Sequence, residues 1–81
     1  MTMKISGFAH VLGVSSQTLR NYEKKGILVP NRLPSGYRIY NINHIKEAIN
    51  LGIISYDDVK EAVEVGTLSE NDIKGLNFDI V

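Results

Sequence analysis

Two apolar stretches separated by Gly13-Val14-Ser15, with Gly26 closing the second, constrain this chain more than anything else in it. Glycine just past a helix relieves the left-handed turn that ends it, and serine just before a helix supplies an oxygen for the unpaired first-turn amides. Ser6 is in place to cap a first short helix, with Phe8, Ala9, Val11 and Leu12 on its apolar face. Ser15 is in place to cap a second, running to about Lys25. Helix, a turn of three or four residues with glycine, then helix is the helix-turn-helix pattern.

The following segment reads as a hairpin. Ile27-Leu28-Val29 is β-prone, Pro30 to Gly36 has turn chemistry, and Tyr37-Arg38-Ile39-Tyr40 is β-prone again. In a strand, Tyr37 and Ile39 share one face, and Arg38 and Tyr40 the other. Asn41 caps a third helix over about residues 42–51, with Ile45, Ala48 and Ile49 at helical spacing and Gly52 behind it. The predicted fold is mainly α with a small β-hairpin wing: a winged helix-turn-helix over residues 1–51, then an acidic extension over 52–81.

That extension has internal order. Gly52, Ser55, Asp58 and Lys60 recur as Gly66, Ser69, Asp72 and Lys74, an offset of 14 residues. Each copy holds Ser-x-x-Asp, a capping pattern, ahead of apolar positions. Two short helices are expected, about 56–65 and 70–75, forming a helical hairpin. Ile53, Ile54, Val59, Ala62, Val63, Leu68, Ile73 and Leu76 supply apolar positions for packing.

The net charge of zero conceals a division. Residues 1–50 carry Lys4, Arg20, Lys24, Lys25, Arg32, Arg38 and Lys46 against Glu23 and Glu47; seven minus two is +5. Residues 51–81 carry Lys60 and Lys74 against seven carboxylates, which is −5. On a helical wheel, Ser16, Gln17, Arg20, Asn21 and Lys24 fall within about 140°, and that arc holds no carboxylate. Leu19 and Tyr22 face the other way, toward the core. A polar helix face is ordinarily only a solvated one. Here it follows a glycine turn and precedes a basic hairpin, and that combination points to a duplex. Amides pair with adenine, arginine with guanine or phosphate, and the N-terminal part of a recognition helix meets base edges. Arg32 and Arg38, on either side of the hairpin turn, are placed to anchor phosphates. Lys24-Lys25 at a helix C-terminus would also complement the helix dipole.

Residues 5–28, with Gly13-Val14-Ser15, Thr18-Leu19-Arg20 and Tyr22-Glu23 ahead of Gly26-Ile27-Leu28, resemble the opening of the MerR family of bacterial regulators. Gly36-Tyr37-Arg38-Ile39-Tyr40, preceded by the basic Arg32, resembles that family's wing. The resemblance covers about residues 4–50. It implies that Ser16 and Gln17 lie where bases are read, that Arg20 and Tyr22 approach the DNA backbone, and that Tyr37 and Arg38 are wing contacts. Asn21 stands where the family usually has an aromatic residue. Typical members continue into a long dimerising helix and an effector domain. The 31 residues after position 50 show no sustained heptads, so the chain looks more like compact relatives from phage and mobile elements.

The expected function is sequence-specific binding of double-stranded DNA by a small bacterial or phage transcriptional regulator. Alternatives are an excisionase-type recombination or architectural factor, and a phage protein-interaction adaptor on the same fold. The acidic extension has three readings: completion of the core, self-association with a neighbour's basic face, or docking on another protein through Phe78-Asp79-Ile80-Val81. With no cysteine and only His10 and His44, neither disulfides nor thiolate metal sites are available. No cofactor, metal or small-molecule effector is expected. No triad, paired acids or phosphate loop points to an enzyme. No apolar run approaches membrane-spanning length, and the opening lacks a secretion pattern, so a cytoplasmic location is expected.

Overall fold

A computed structural model describes residues 2–74. The elements run β1 (Thr2–Met3), α1 (Ile5–Leu12), α2 (Ser16–Lys24), β2 (Asn31–Arg32), β3 (Arg38–Asn41), α3 (Ile42–Asn50) and α4 (Tyr56–Glu64). The architecture is mainly helical with a small antiparallel sheet, a winged helix-turn-helix, as expected. β3 is the central strand, pairing Ile39 with Asn31 and Arg38 with Arg32 on one side, and Tyr40 with Met3 and Asn41 with Thr2 on the other.

One device ends three of the four described helices. The glycine after the helix takes a positive φ, and the next two amides turn back to a single carbonyl. Ile27 and Leu28 N–H reach Tyr22 O, Ile53 and Ile54 N–H reach Ala48 O, and Thr67 and Leu68 N–H reach Ala62 O. Each time, the second of those residues is buried: Leu28, Ile54 and Leu68. This is the Schellman type of closure with its apolar contact. The 14-residue periodicity follows from it, because Ser55 and Ser69 come straight after the buried aliphatic residue. Ser55 Oγ accepts from Asp58 N–H while Asp58 Oδ2 accepts from Ser55 N–H, and Ser69 and Asp72 repeat the exchange.

The same closure corrects the expected strand over 27–29. Leu28 is a fully buried plug, and the amides of Ile27 and Leu28 are spent on α2, so the segment has no free edge for a sheet. The outer strand of the hairpin is instead Asn31–Arg32, and the turn is shorter, with Leu33 N–H bonded to Tyr37 O and Gly36 N–H to Leu33 O. Other boundaries also differ. β1 was not foreseen, and because it leads straight into α1, the cap position falls on Lys4 rather than Ser6 and has no side-chain cap. After α4 the described residues 70–74 form a turn bonded at three-residue spacing where a helix over 70–75 is expected; residue 75 lies outside the described residues. Leu76 and Phe78 to Val81 lie outside the described residues.

The core is a single cluster drawn from every helix. Phe8 of α1 stacks on Tyr40 of β3, with ring centroids 4.4 Å apart and planes within 7°. His44 of α3 meets Tyr40 edge-on at 5.3 Å. His44 is buried with both nitrogens engaged: Nδ1 accepts from Asn41 N–H at 2.9 Å, and Nε2 lies 3.0 Å from Val29 O. Because Nδ1 accepts, the ring proton sits on Nε2 and is donated to Val29. His44 thus completes the α3 cap, which Asn41 Oδ1 begins by accepting from Asn43 N–H. Ile54, Val59, Ala62 and Leu68 join the same cluster, and Ile53, Val63 and Ile73 pack against it.

Tyr40 is fully buried, yet its hydroxyl has no hydrogen-bond partner among the described residues, and burial raises its pKa. In chemical denaturation, Leu28→Ala should cost about 2–5 kcal/mol through the cavity it leaves. Tyr40→Phe, which keeps the stacked ring and deletes an unsatisfied hydroxyl, should be neutral or stabilising; a loss above about 1 kcal/mol would mean that the hydroxyl is bonded in the folded protein.

Candidate nucleic-acid interface

α2 begins at a well-made cap. Ser15 Oγ accepts from Thr18 N–H at 3.1 Å and lies 2.9 Å from the Thr18 hydroxyl. Leu19 is fully buried and Tyr22 packs on the core, so the opposite side of the helix faces outward. On that side Gln17 Nε2 donates to Asn21 Oδ1 at 3.2 Å, one turn apart. The bond orients both amides and leaves Gln17 Oε1 and the Asn21 amide nitrogen directed to other partners.

The wing lies beside this helix because β3 alternates. Tyr40 enters the core, so Arg38, two residues earlier, points to the same side and meets α2. Two grooves result. One, of about 490 Å³, has Gln17, Arg20, Asn21, Glu23 and Lys24 of α2 on one wall and Arg32 and Arg38 of the wing on the other. The second, of about 440 Å³, runs between the start of α1 and the wing, with Lys4, Ser6, Arg20, Tyr37 and Arg38 among its lining. Arg20 and Arg38 line both, so the two form one surface. That surface carries Lys4, Arg20, Lys24, Arg32 and Arg38 against a single carboxylate, Glu23.

Seven of the nine residues expected at the site therefore come together: Gln17, Arg20, Asn21, Lys24, Arg32, Tyr37 and Arg38. Ser16 and Tyr22 do not line either groove; both are half-buried, Ser16 in the first turn and Tyr22 against the core. Sequence reasoning missed two participants. Lys4 is carried to the wing by β1, and its Nζ lies 5.1 Å from the centre of the Tyr37 ring, within cation–π reach. The other is Glu23. It stands just outside the acid-free arc of the helical wheel and bonds both wing arginines. Arg38 Nε reaches its Oε1 at 2.6 Å, and Arg32 Nη2 reaches its Oε2 at 2.7 Å. The bond from Arg38, then that from Arg32, holds the Glu23 carboxyl below the usual carboxylate range.

The acidic segment lies elsewhere. Asp58, Glu61 and Val65 of the α4 region line a third groove, of about 310 Å³, with His10, Val11 and Leu12 at the far end of α1. Among the described residues, no cluster of three or more His, Cys, Asp or Glu is placed to hold a metal ion. No described helix is long and apolar enough to cross a membrane.

Comparison with known proteins finds sequence similarity over the same part of the chain. The family model described as MerR family regulatory protein matches residues 4–40, the stretch from the start of α1 to the buried tyrosine of β3. A protein of Escherichia coli O6:H1 named HTH-type transcriptional regulator CueR is 41% identical over 46 residues, covering 56% of this chain and 34% of its own length. The protein of the same name from Vibrio cholerae serotype O1 (Classical Ogawa) is 35% identical over 48 residues, covering 58% of this chain and 34% of its own. The match thus spans about a third of the length of these curated relatives. No solved structure matches the chain. Residues 4–40 are accordingly similar in sequence to the DNA-binding start of MerR family regulators.

Proposed function

We propose that this chain is a sequence-specific double-stranded DNA-binding regulator of bacterial or phage transcription, acting in the cytoplasm. In this reading residues 1–51 bind the duplex, and no cofactor, metal or small-molecule effector takes part. The observation that carries it is the single cationic surface, with Arg20 and Arg38 lining both of its grooves. The exposed amides of Gln17 and Asn21, held parallel to the helix by their mutual bond, enter a major groove and meet base edges. Arg20, Lys24 and Arg38 take phosphates on either side, and the wing tip with Tyr37 lies along the backbone or in the adjacent minor groove. Ser16 and Tyr22 act at the margin, Ser16 through the first turn of α2 and Tyr22 by seating the helix.

Sites selected from random duplexes should share a common sequence. Arg20→Ala and Arg38→Ala should each weaken binding to that sequence by about tenfold or more. Each should also flatten the slope of log K against log salt by about one unit while the circular dichroism of the fold persists. Full affinity in both variants would remove these residues from the interface.

A second reading, an architectural factor of excisionase type that assembles in arrays, is favoured by a pair of complementary surfaces. The α1–α4 groove presents Asp58 and Glu61 beside Val65, which is 70% exposed. The loop after α2 presents Lys25 with Ile27 and Val29 both exposed. Acid with aliphatic on one side and base with aliphatic on the other is a heterologous contact, which propagates head to tail. In sedimentation on DNA carrying tandem sites, wild type should bind cooperatively. Glu61→Lys or Lys25→Glu alone should abolish the cooperativity, and the two together should restore it. Independent filling of tandem sites by the wild type would leave the regulator reading alone.

A further inference from the structure

We propose that Glu23 is a positioning residue for DNA discrimination: it latches the wing to the recognition helix, with Arg32 as the strut and Arg38 as the arm left for phosphate. The inference rests on the DNA-binding reading above and deepens it.

The donor inventory separates the two arginines. Arg32 gives Nη2 to Glu23 Oε2 at 2.7 Å and Nη1 to Gly36 O at 2.8 Å. Its guanidinium therefore spans from α2 to the turn of the wing, with one bond made by each terminal nitrogen. Arg38 is held through its inner nitrogen alone, Nε to Glu23 Oε1 at 2.6 Å. Its terminal nitrogens form the outer end of a guanidinium already fixed in direction, the geometry that suits bidentate contact with a phosphate. One carboxylate thus takes one bond from each strand of the hairpin. Arg32, expected from the sequence to anchor phosphate, becomes a residue that acts through Glu23 and Gly36.

The wing needs such a tether. Its outer strand is two residues long, and a short two-stranded unit has little stability of its own. Phosphate contacts set the register of a protein on its duplex, so a wing that drifts relative to α2 loses register before it loses charge. A carboxylate on a phosphate-facing surface opposes binding to any duplex. Two guanidiniums on one carboxylate leave the triad at +1 and fix its shape. Glu23 therefore lowers general attraction to DNA and raises discrimination. Removing it should move non-specific and specific affinity in opposite directions, a signature that simple loss of structure does not produce. The ion pairs are partly exposed, with the arginine side chains 46% and 28% accessible, so the latch contributes little to global stability.

Glu23→Gln in the full chain tests this. Amide exchange in free protein should quicken at Leu33 and Gly36, whose N–H groups close the wing turn, with no change at buried Val59. Non-specific affinity should rise, with a salt slope steeper by up to about one unit. The ratio of specific to non-specific affinity should fall by about tenfold or more. Arg32→Ala should quicken the same amides and lower the ratio without raising non-specific affinity. Unchanged wing exchange in both variants overturns the latch. So does an unchanged ratio, or an equal fall of both affinities in Glu23→Gln. If the wild type selects no sequence, the DNA-binding reading itself fails; the exchange rates still report whether Glu23 holds the wing.

Discussion

The stack of Phe8 on Tyr40 sets the geometry from which the interface follows. It joins α1 to the central strand, and His44 packs edge-on against it from α3 while its other side ties down Val29. Alternation along β3 then leaves no freedom. With Tyr40 in the core, Arg38 must leave the strand on the same side and meet α2 at Glu23. A slip of one residue would send Arg38 to the opposite face and expose the tyrosine ring, so burial of an aromatic enforces the placement of a cation. The core and the charged surface are consequences of one register.

What was legible in the sequence was the chemistry that acts over a few residues. Ser15, Asn41 and Ser55 cap the helices expected of them, because a capping oxygen reaches only two or three residues along the chain. The glycines end those helices for an equally local reason. The outward face of α2 was also readable, since Leu19 and Tyr22 fix the inward one. Ile27-Leu28-Val29 misled because β propensity is a weak preference and the segment is governed by Leu28 entering the core. β1 left no signal, being two residues whose only reason for strand geometry is an edge created some 38 residues later. Glu23 was hidden for the same reason. Its partners lie 9 and 15 residues away, and nothing local says that a glutamate at the rim of a helix face will meet two arginines.

Charge in this chain is arranged in space more cleanly than in sequence. The chain is neutral, yet the α2–wing surface gathers five cations and one neutralised carboxylate, while Asp58 and Glu61 line a groove at the other end of α1. Field at a surface depends on the charges within about a Debye length, roughly 8–10 Å, rather than on the sum over the molecule. An anion approaching the wing meets a strongly positive patch. The acidic groove, turned elsewhere, does little to oppose it at physiological salt and resists approach from the wrong side.

The acidic segment is nevertheless bound into the fold that carries the cationic surface. Ile54, Val59, Ala62 and Leu68 belong to the cluster that contains Phe8, Leu19 and Tyr40, while the carboxylates of α4 stay on its wet side. A helix-turn-helix and a wing of about fifty residues have little apolar area to bury on their own. The added helix therefore has two separable consequences. Its apolar face joins the common core behind the cationic surface, and its acidic face stays exposed. Substitutions on the wet face of α4 should consequently alter association while leaving the geometry of Arg20, Arg38 and Glu23 intact. Substitutions at Val59 or Ala62 would disturb both, because the helix that presents the acids is the one that closes the core.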